Sequence, residues 1–219
     1  MAKPGLLIIP AIMSAFIMAG CDSPKDASKA NFKRAIDQKL SEKCITFRPA
    51  GIFISGKYPL TVEDAQANQF VSQSQADKRN GENQGPLNAL VEAGVLEVRQ
   101  DNVKQGFGNG TVPAHIYTLT DKGKSSRLSE DSPFLCIGKY KVDEVTGYTE
   151  PGNAGGTTIS KVDYTFSPTD VPDWAKAEAV RSAYPSIEQS LSDKQNGRAV
   201  LVLKNDGWAA EAVSGSNRW

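Results

Sequence analysis

One apolar run decides how this chain can be built. Residues 6–17 (Leu6-Leu7-Ile8-Ile9-Pro10-Ala11-Ile12-Met13-Ser14-Ala15-Phe16-Ile17) follow a lone cation, Lys3, and lead into Met18-Ala19-Gly20-Cys21. The run is shorter than the ~20 residues that a membrane-spanning helix needs. A cation, a short apolar segment and small residues, in that order, make the pattern of a cleavable export signal. Nothing after Cys21 is apolar enough to span a bilayer, so the folded body is expected to come from the polar remainder.

Met18-Ala19-Gly20-Cys21 resembles the lipobox of bacterial lipoproteins, with Met18 where the family more often has Leu. The resemblance implies a thioether between the Cys21 sulfur and diacylglycerol, cleavage before Cys21 and further acylation with palmitate-like chains. Each buried CH₂ contributes ~0.8 kcal/mol, so two or three chains anchor a protein stably. Asp22 resembles the signal that keeps enteric-type lipoproteins in the inner membrane. The expected location is the cell envelope, on the periplasmic face of the inner membrane, with the outer membrane as the alternative. Residues 1–20 are expected to be removed, and residues 21–30 to form a flexible tether.

Removing residues 1–20 takes away Lys3 and no acid. That leaves 24 of the 25 basic residues against 25 acidic ones, a formal net charge of −1. A balanced surface of this kind gives no electrostatic footprint for nucleic acid. With Cys21 assigned to lipid, Cys44 and Cys136 remain as an even pair in an oxidising compartment, which predicts a disulfide. Two cysteines and a distant His115 do not make a metal site, and no cofactor is expected.

Residues 27–43 read as a helix, because Phe32, Ile36 and Leu40 recur at i, i+4 and i+8. Residues 45–47 and 51–54 are short β-prone runs. Thr61 with Asp64 resembles a capping box, which places a second helix over about 61–71. Residues 78–85 read as a polar break. Pro86-Leu87-Asn88-Ala89-Leu90-Val91-Glu92-Ala93-Gly94 reads as a helix with Pro in its first turn and Gly94 at C′. A strand at 95–98, a Gly-rich loop at 101–113 and a returning strand at 115–120 follow.

Over residues 86–125, this order and the runs Ala93-Gly94-Val95-Leu96 and Tyr117-Thr118-Leu119-Thr120-Asp121-Lys122-Gly123 resemble the last helix and wing of winged-helix domains. DNA binding does not follow from the resemblance. Such proteins place basic and polar residues on the recognition helix, whereas residues 87–93 carry Glu92 and no Lys or Arg.

The carboxy-terminal half reads as β-β-α-β-β. Tyr140 and Val142 alternate with Lys139, Lys141 and Asp143, and Val162, Tyr164 and Phe166 alternate with Lys161 and Asp163. Asp170 is expected to cap a helix over about 171–183 that Pro185 stops. Residues 199–203 and 208–213 are strands joined through Asn205-Asp206-Gly207. The predicted fold class is α+β: a winged-helix-like domain over 31–132 and an antiparallel sheet backed by a helix over 133–219, tied by Cys44–Cys136.

No residue set reads as catalytic. His115 is expected at a wing edge with no nucleophile beside it. Asp143 and Glu144 are adjacent in a strand, which makes them a poor acid/base pair, and with Glu150 they read as solvated charges. Gly106-Phe107-Gly108-Asn109-Gly110 opens no helix and so lacks the dipole of a phosphate site. Tyr148, Tyr164, Trp174 and Trp208 are expected to be mostly core, with any exposed cluster marking a candidate binding surface for peptide, glycan or protein. The expected function is a non-catalytic, membrane-anchored envelope lipoprotein that contacts the bilayer through acylated Cys21 and binds or helps assemble another envelope protein. A cell-envelope hydrolase and a small-ligand carrier are the alternatives.

Overall fold

The computed structural model describes residues 23–50, 57–104 and 110–215. The lipobox with Cys21, the strand expected at 51–54, part of the Gly-rich loop and the terminal residues 216–219 lie outside the described residues. The chain is a mixed fold of helices and antiparallel sheets.

Helix α1 (Lys29–Ser41) forms where the stripe predicts it. The Ser28 hydroxyl accepts from the Asn31 backbone N–H at its start, satisfying one orphan donor. Phe32, Ala35, Ile36 and Leu40 are buried. After strand β1 (Thr46–Phe47), residues expected to begin the second helix form strand β2 (Leu60–Glu63) instead.

The capping box lies further on. Ser72 and Gln75 bond reciprocally and start helix α2 (Gln73–Glu92), which runs unbroken through the expected polar break and Pro86. The polar residues of that break dock the helix. Asn80 exchanges hydrogen bonds of 2.7 and 3.1 Å with both backbone groups of Ala65. Gln84 Nε2 donates to Asp64 Oδ1 at 2.7 Å. The helix ends as predicted at Gly94 (φ +73°), where Val95 N–H bonds Leu90 O and Gly94 N–H bonds Val91 O, both at 2.9 Å.

Strands β3 (Leu96–Lys104) and β4 (Thr111–Leu119) form a hairpin longer than predicted, and with β2 they make a sheet of order β2–β4–β3. Asp64 N–H donates to Pro113 O at 2.8 Å, but Pro113 has no N–H to return. The β2–β4 ladder stops at that point. Thr120 caps the short helix α3 (Asp121–Ser125). Strand β5 (Leu135–Cys136) pairs with β1 beside the Cys44–Cys136 disulfide, whose Cα atoms are 5.4 Å apart.

Strands β6 (Lys139–Tyr148), β7 (Gly152–Ala154) and β8 (Thr157–Thr169) precede three short helices, α4 (Asp173–Lys176), α5 (Glu178–Ala183) and α6 (Pro185–Ser190). The helix expected over about 171–183 ends at Ala183 as predicted, before Tyr184 (ψ 81°), but it is broken at Ala177 (ψ 132°), and Pro185 opens a further helix. The Tyr184 break fits its place before Pro185, which disfavours helical geometry. Asp170 is not the cap: it sits at φ +54°, and the N-cap position belongs to Pro172. Strands β9 (Gln195–Lys204) and β10 (Gly207–Gly215) complete a sheet of order β10–β9–β8–β6, with β7 on β8.

The helix lying on the sheet's inner face is α1, which crosses β6 and β10. One contiguous core joins α1, both sheets and the α4–α6 segment. Residues 23–28, expected to be a flexible tether, are held to the body. Asn31, 4% exposed, donates to Ser23 O and Asp26 O at 2.7 and 3.0 Å. Trp208 Nε1 donates to Lys25 O at 3.0 Å.

Candidate functional site

Strand alternation sorts the large sheet into a sealed face and an open one. Val162, Tyr164, Phe166, Ala199 and Leu201 point inward and are buried. Lys161, Asp163 and Arg198 project from the other face into solvent. Between them lies a groove of about 680 Å³ that crosses β6, β8, β9 and β10. Small side chains at Gly147, Ala212 and Ser214 leave the space, and Val200 adds an apolar floor.

Arg198 Nε donates to Asp163 Oδ1 at 2.9 Å across the β8–β9 ladder. Both side chains are largely exposed, so the pair adds little stability. Lys161 has no ion-pair partner among the described residues, which leaves the groove with one net positive charge. The Ser214 hydroxyl donates to Arg198 O at 3.2 Å, and the groove contains no histidine to activate it. The arrangement suits recognition of a polar or acidic group against an apolar floor.

The aromatic residues singled out from the sequence do not share a surface. Tyr164, Trp174 and Trp208 are buried. Phe32 is held edge-on by Tyr148 and Trp208, each with ring centroids 4.9 Å away. The Tyr164 ring covers Gly197, where a Cβ would lie 2.4 Å from its ring carbon. Trp174 Nε1 donates to Ser126 Oγ at 3.1 Å. Tyr148 alone reaches the surface, at 39% exposure, and its hydroxyl donates to Ala27 O. Tyr164, Trp174 and Trp208 build the core, whereas Tyr148 lines the groove on the open sheet face while fastening Ala27.

His115 has a partner that sequence reasoning missed. Its Nδ1 lies 2.9 Å from Asp64 Oδ1, and its Nε2 is 3.0 Å from the Gln100 amide. Asp64 also accepts from Gln84, so the cluster joins the residue that follows β2 to β3, β4 and α2. Asp64 is 51 residues from His115 in sequence, and only the β2–β4 register brings them together. No described Ser or Cys lies in this hydrogen-bonded cluster.

Asp143 sits in a bulge of β6. Its Oδ2 accepts from Ser167 Oγ at 2.6 Å, while Glu144 pairs with Lys29 at 3.8 Å. Each thus has its own partner. Burial pushes the hydroxyls of Tyr58, Tyr117 and Tyr164 up to about 12; at Tyr117 the nearby Asp64 charge adds to it, and at Tyr58 the Arg127 charge opposes it. Tyr117 donates to Asn88 Oδ1 at 3.0 Å and Tyr164 to Ser214 O at 3.4 Å, whereas the buried Tyr58 hydroxyl has no hydrogen-bond partner among the described residues. Among the described residues, no group of three or more His, Cys, Asp or Glu could hold a metal ion.

Comparison with known proteins adds no relative. No family model matches the chain, and no curated protein and no solved structure matches it.

Proposed function

We propose that this chain is a lipid-anchored protein of the bacterial envelope whose folded domain binds another envelope component without catalysing a reaction. The anchor is read from Met18-Ala19-Gly20-Cys21, with Asp22 favouring the periplasmic face of the inner membrane. The Cys44–Cys136 disulfide is compatible with an oxidising compartment. The observation that carries the binding role is the groove on the open sheet face, lined by Lys161, Asp163 and Arg198 and opposite the face that α1 seals.

On this reading the domain rides close to the bilayer. Ser23 is already hydrogen-bonded to the body through Asn31, and it follows Cys21 by two residues. Two extended residues span about 7 Å. The anchored domain thus has little freedom to turn, and its groove is offered in a restricted set of directions.

The winged-helix-like reading of residues 31–132, carried by the resemblance over 86–125, is part of this proposal. The support is a long helix ending at Gly94, a β3–β4 hairpin and the strand order β2–β4–β3. This unit serves as a scaffold on which α5 packs through α2. A small-ligand carrier is the second reading, favoured by a groove volume within the ~300–1,000 Å³ of ligand pockets.

A photo-crosslinking residue at Ala212, inside the groove, tests the binding role in living cells, with the same residue at Lys78 on α2 as control. The expected outcome is one discrete adduct from Ala212 alone, lost in Arg198→Glu. No adduct from Ala212, or equal adducts from both positions, rejects the groove as the binding surface.

A further inference from the structure

The edges of the two main sheets are treated differently. Strand β6 is bulged at two places, and its Val142 backbone is capped from α1: the N–H donates to Asp37 Oδ1 at 2.7 Å and the carbonyl accepts from Lys33 Nζ. Strand β10 carries a bulge between Ala210 and Ala212. Bulges and capping charges are how sheets prevent edge pairing. Strand β3 is an outer strand of its sheet, yet its nine residues pair with β4 without a bulge. Glu97 through Asn102 are all exposed, and Val98 is an apolar side chain at 39% exposure.

The ladder fixes which groups face outward. Thr120 N–H donates to Val95 O, so the odd-numbered residues of β3 exchange hydrogen bonds with β4. The even ones, Leu96, Val98, Gln100, Asn102 and Lys104, turn their N–H and C=O groups to the free edge. Pro113 agrees with this phase, because it sits opposite Asn102 where β4 need not donate to β3. Among the described residues Asn102 N–H is met only by the Asp101 carboxylate at 2.9 Å, and that carboxylate also holds Arg99 at 2.5 Å.

We infer that β3 pairs antiparallel with β3 of a second copy of this chain, about a two-fold axis at Gln100. The ladder phase permits only registers that keep even residues opposite even ones. With Gln100 opposite Gln100, Arg99 of each copy faces Asp101 of the other, twice, in the closely spaced non-hydrogen-bonded positions. Sliding one way by the next allowed step sets Arg99 against Arg99, and sliding the other way sets Asp101 against Asp101. One register is thus selected by charge. In it the Arg99–Asp101 contact within each strand is exchanged for the same contact between strands, and Asn102 N–H is released to the new ladder.

Sedimentation of the full chain over micromolar concentrations, in detergent if acylated, tests the inference. A concentration-dependent dimer is expected. Arg99→Asp alone weakens it about tenfold or more, and Arg99→Asp with Asp101→Arg restores it. Asn102→Pro abolishes the dimer while leaving the β3–β4 ladder intact, which unchanged circular dichroism checks. Gln100→Cys forms a symmetric intermolecular disulfide, since facing Cα atoms ~5.5 Å apart suit one; the unsubstituted chain run in parallel accounts for Cys21. A chain that stays monomeric throughout, or a dimer indifferent to Arg99→Asp and Asn102→Pro, overturns the inference.

Discussion

The indole of Trp208 donates to the Lys25 carbonyl at 3.0 Å and ties strand β10 to the segment that precedes α1, 183 residues away. Tyr148 makes the matching bond to Ala27 O from the other edge of the sheet. Together with Asn31 these bonds convert an expected tether into part of the folded body. Asn31→Ala leaves the Ser23 and Asp26 carbonyls without this donor and costs about 1–2 kcal/mol. Limited trypsin digestion reads the effect directly. Cleavage at Lys25 is expected to accelerate in Asn31→Ala and in Trp208→Phe, with the rest of the chain cut at its usual rate.

The Cys44–Cys136 bridge closes a span of 92 residues. On the chain-entropy view, a loop of that length is worth about 4–5 kcal/mol. Urea unfolding of Cys44→Ala/Cys136→Ala should show a midpoint lowered accordingly. Reductant is expected to reproduce the loss in the unsubstituted chain and to leave the double variant unchanged.

Gly197 is the residue over which Tyr164 lies, and a methyl group there would sit 2.4 Å from the ring. Gly197→Ala is expected to destabilise the protein by about 1–3 kcal/mol through overpacking. Adding Tyr164→Leu, which removes the ring, should recover part of the loss in denaturant midpoint. Equal midpoints for Gly197→Ala and the unsubstituted chain would show that the ring is not locked over the glycine.

Alkaline pH should unfold this protein through its buried phenols. Tyr117 and Tyr164 are pushed up to about 12 from the ordinary 10. A folded-state value above the unfolded one gives stability that is complete below pH 10 and is lost as pH rises toward 12. Phenolate absorbance from Tyr117 and Tyr164 should therefore appear together with unfolding, above pH 10. Removing the Asp64 charge by Asp64→Asn is expected to lower the Tyr117 value, since that charge adds to the effect of burial.

Local pattern carried the reading furthest where one face of an element does one job. The stripe Phe32, Ile36 and Leu40 places α1, and the alternation of Val162, Tyr164 and Phe166 separates the sealed face of β8 from the open one. Gly94 ends α2 as its positive φ requires. Pattern failed where distant partners decide. Asn80 and Gln84 look like breakers in isolation, yet they are helical because Ala65 and Asp64 receive them. Thr61 and Asp64 form a plausible cap, but their segment pairs with β4. Of the groove's lining only Tyr148 is singled out from the sequence, because the rest is gathered from four strands rather than from a motif.

The central claim is that Cys21 carries lipid and fixes the domain at the membrane. Intact-mass measurement of the protein purified from bacterial membranes tests it most directly, beside a Cys21→Ser variant. The account expects a chain that begins at Cys21, heavier by diacylglycerol with or without a further acyl chain, and a Cys21→Ser chain without that mass. An unmodified Cys21, or a chain that keeps residues 1–20 in the membrane, would contradict it.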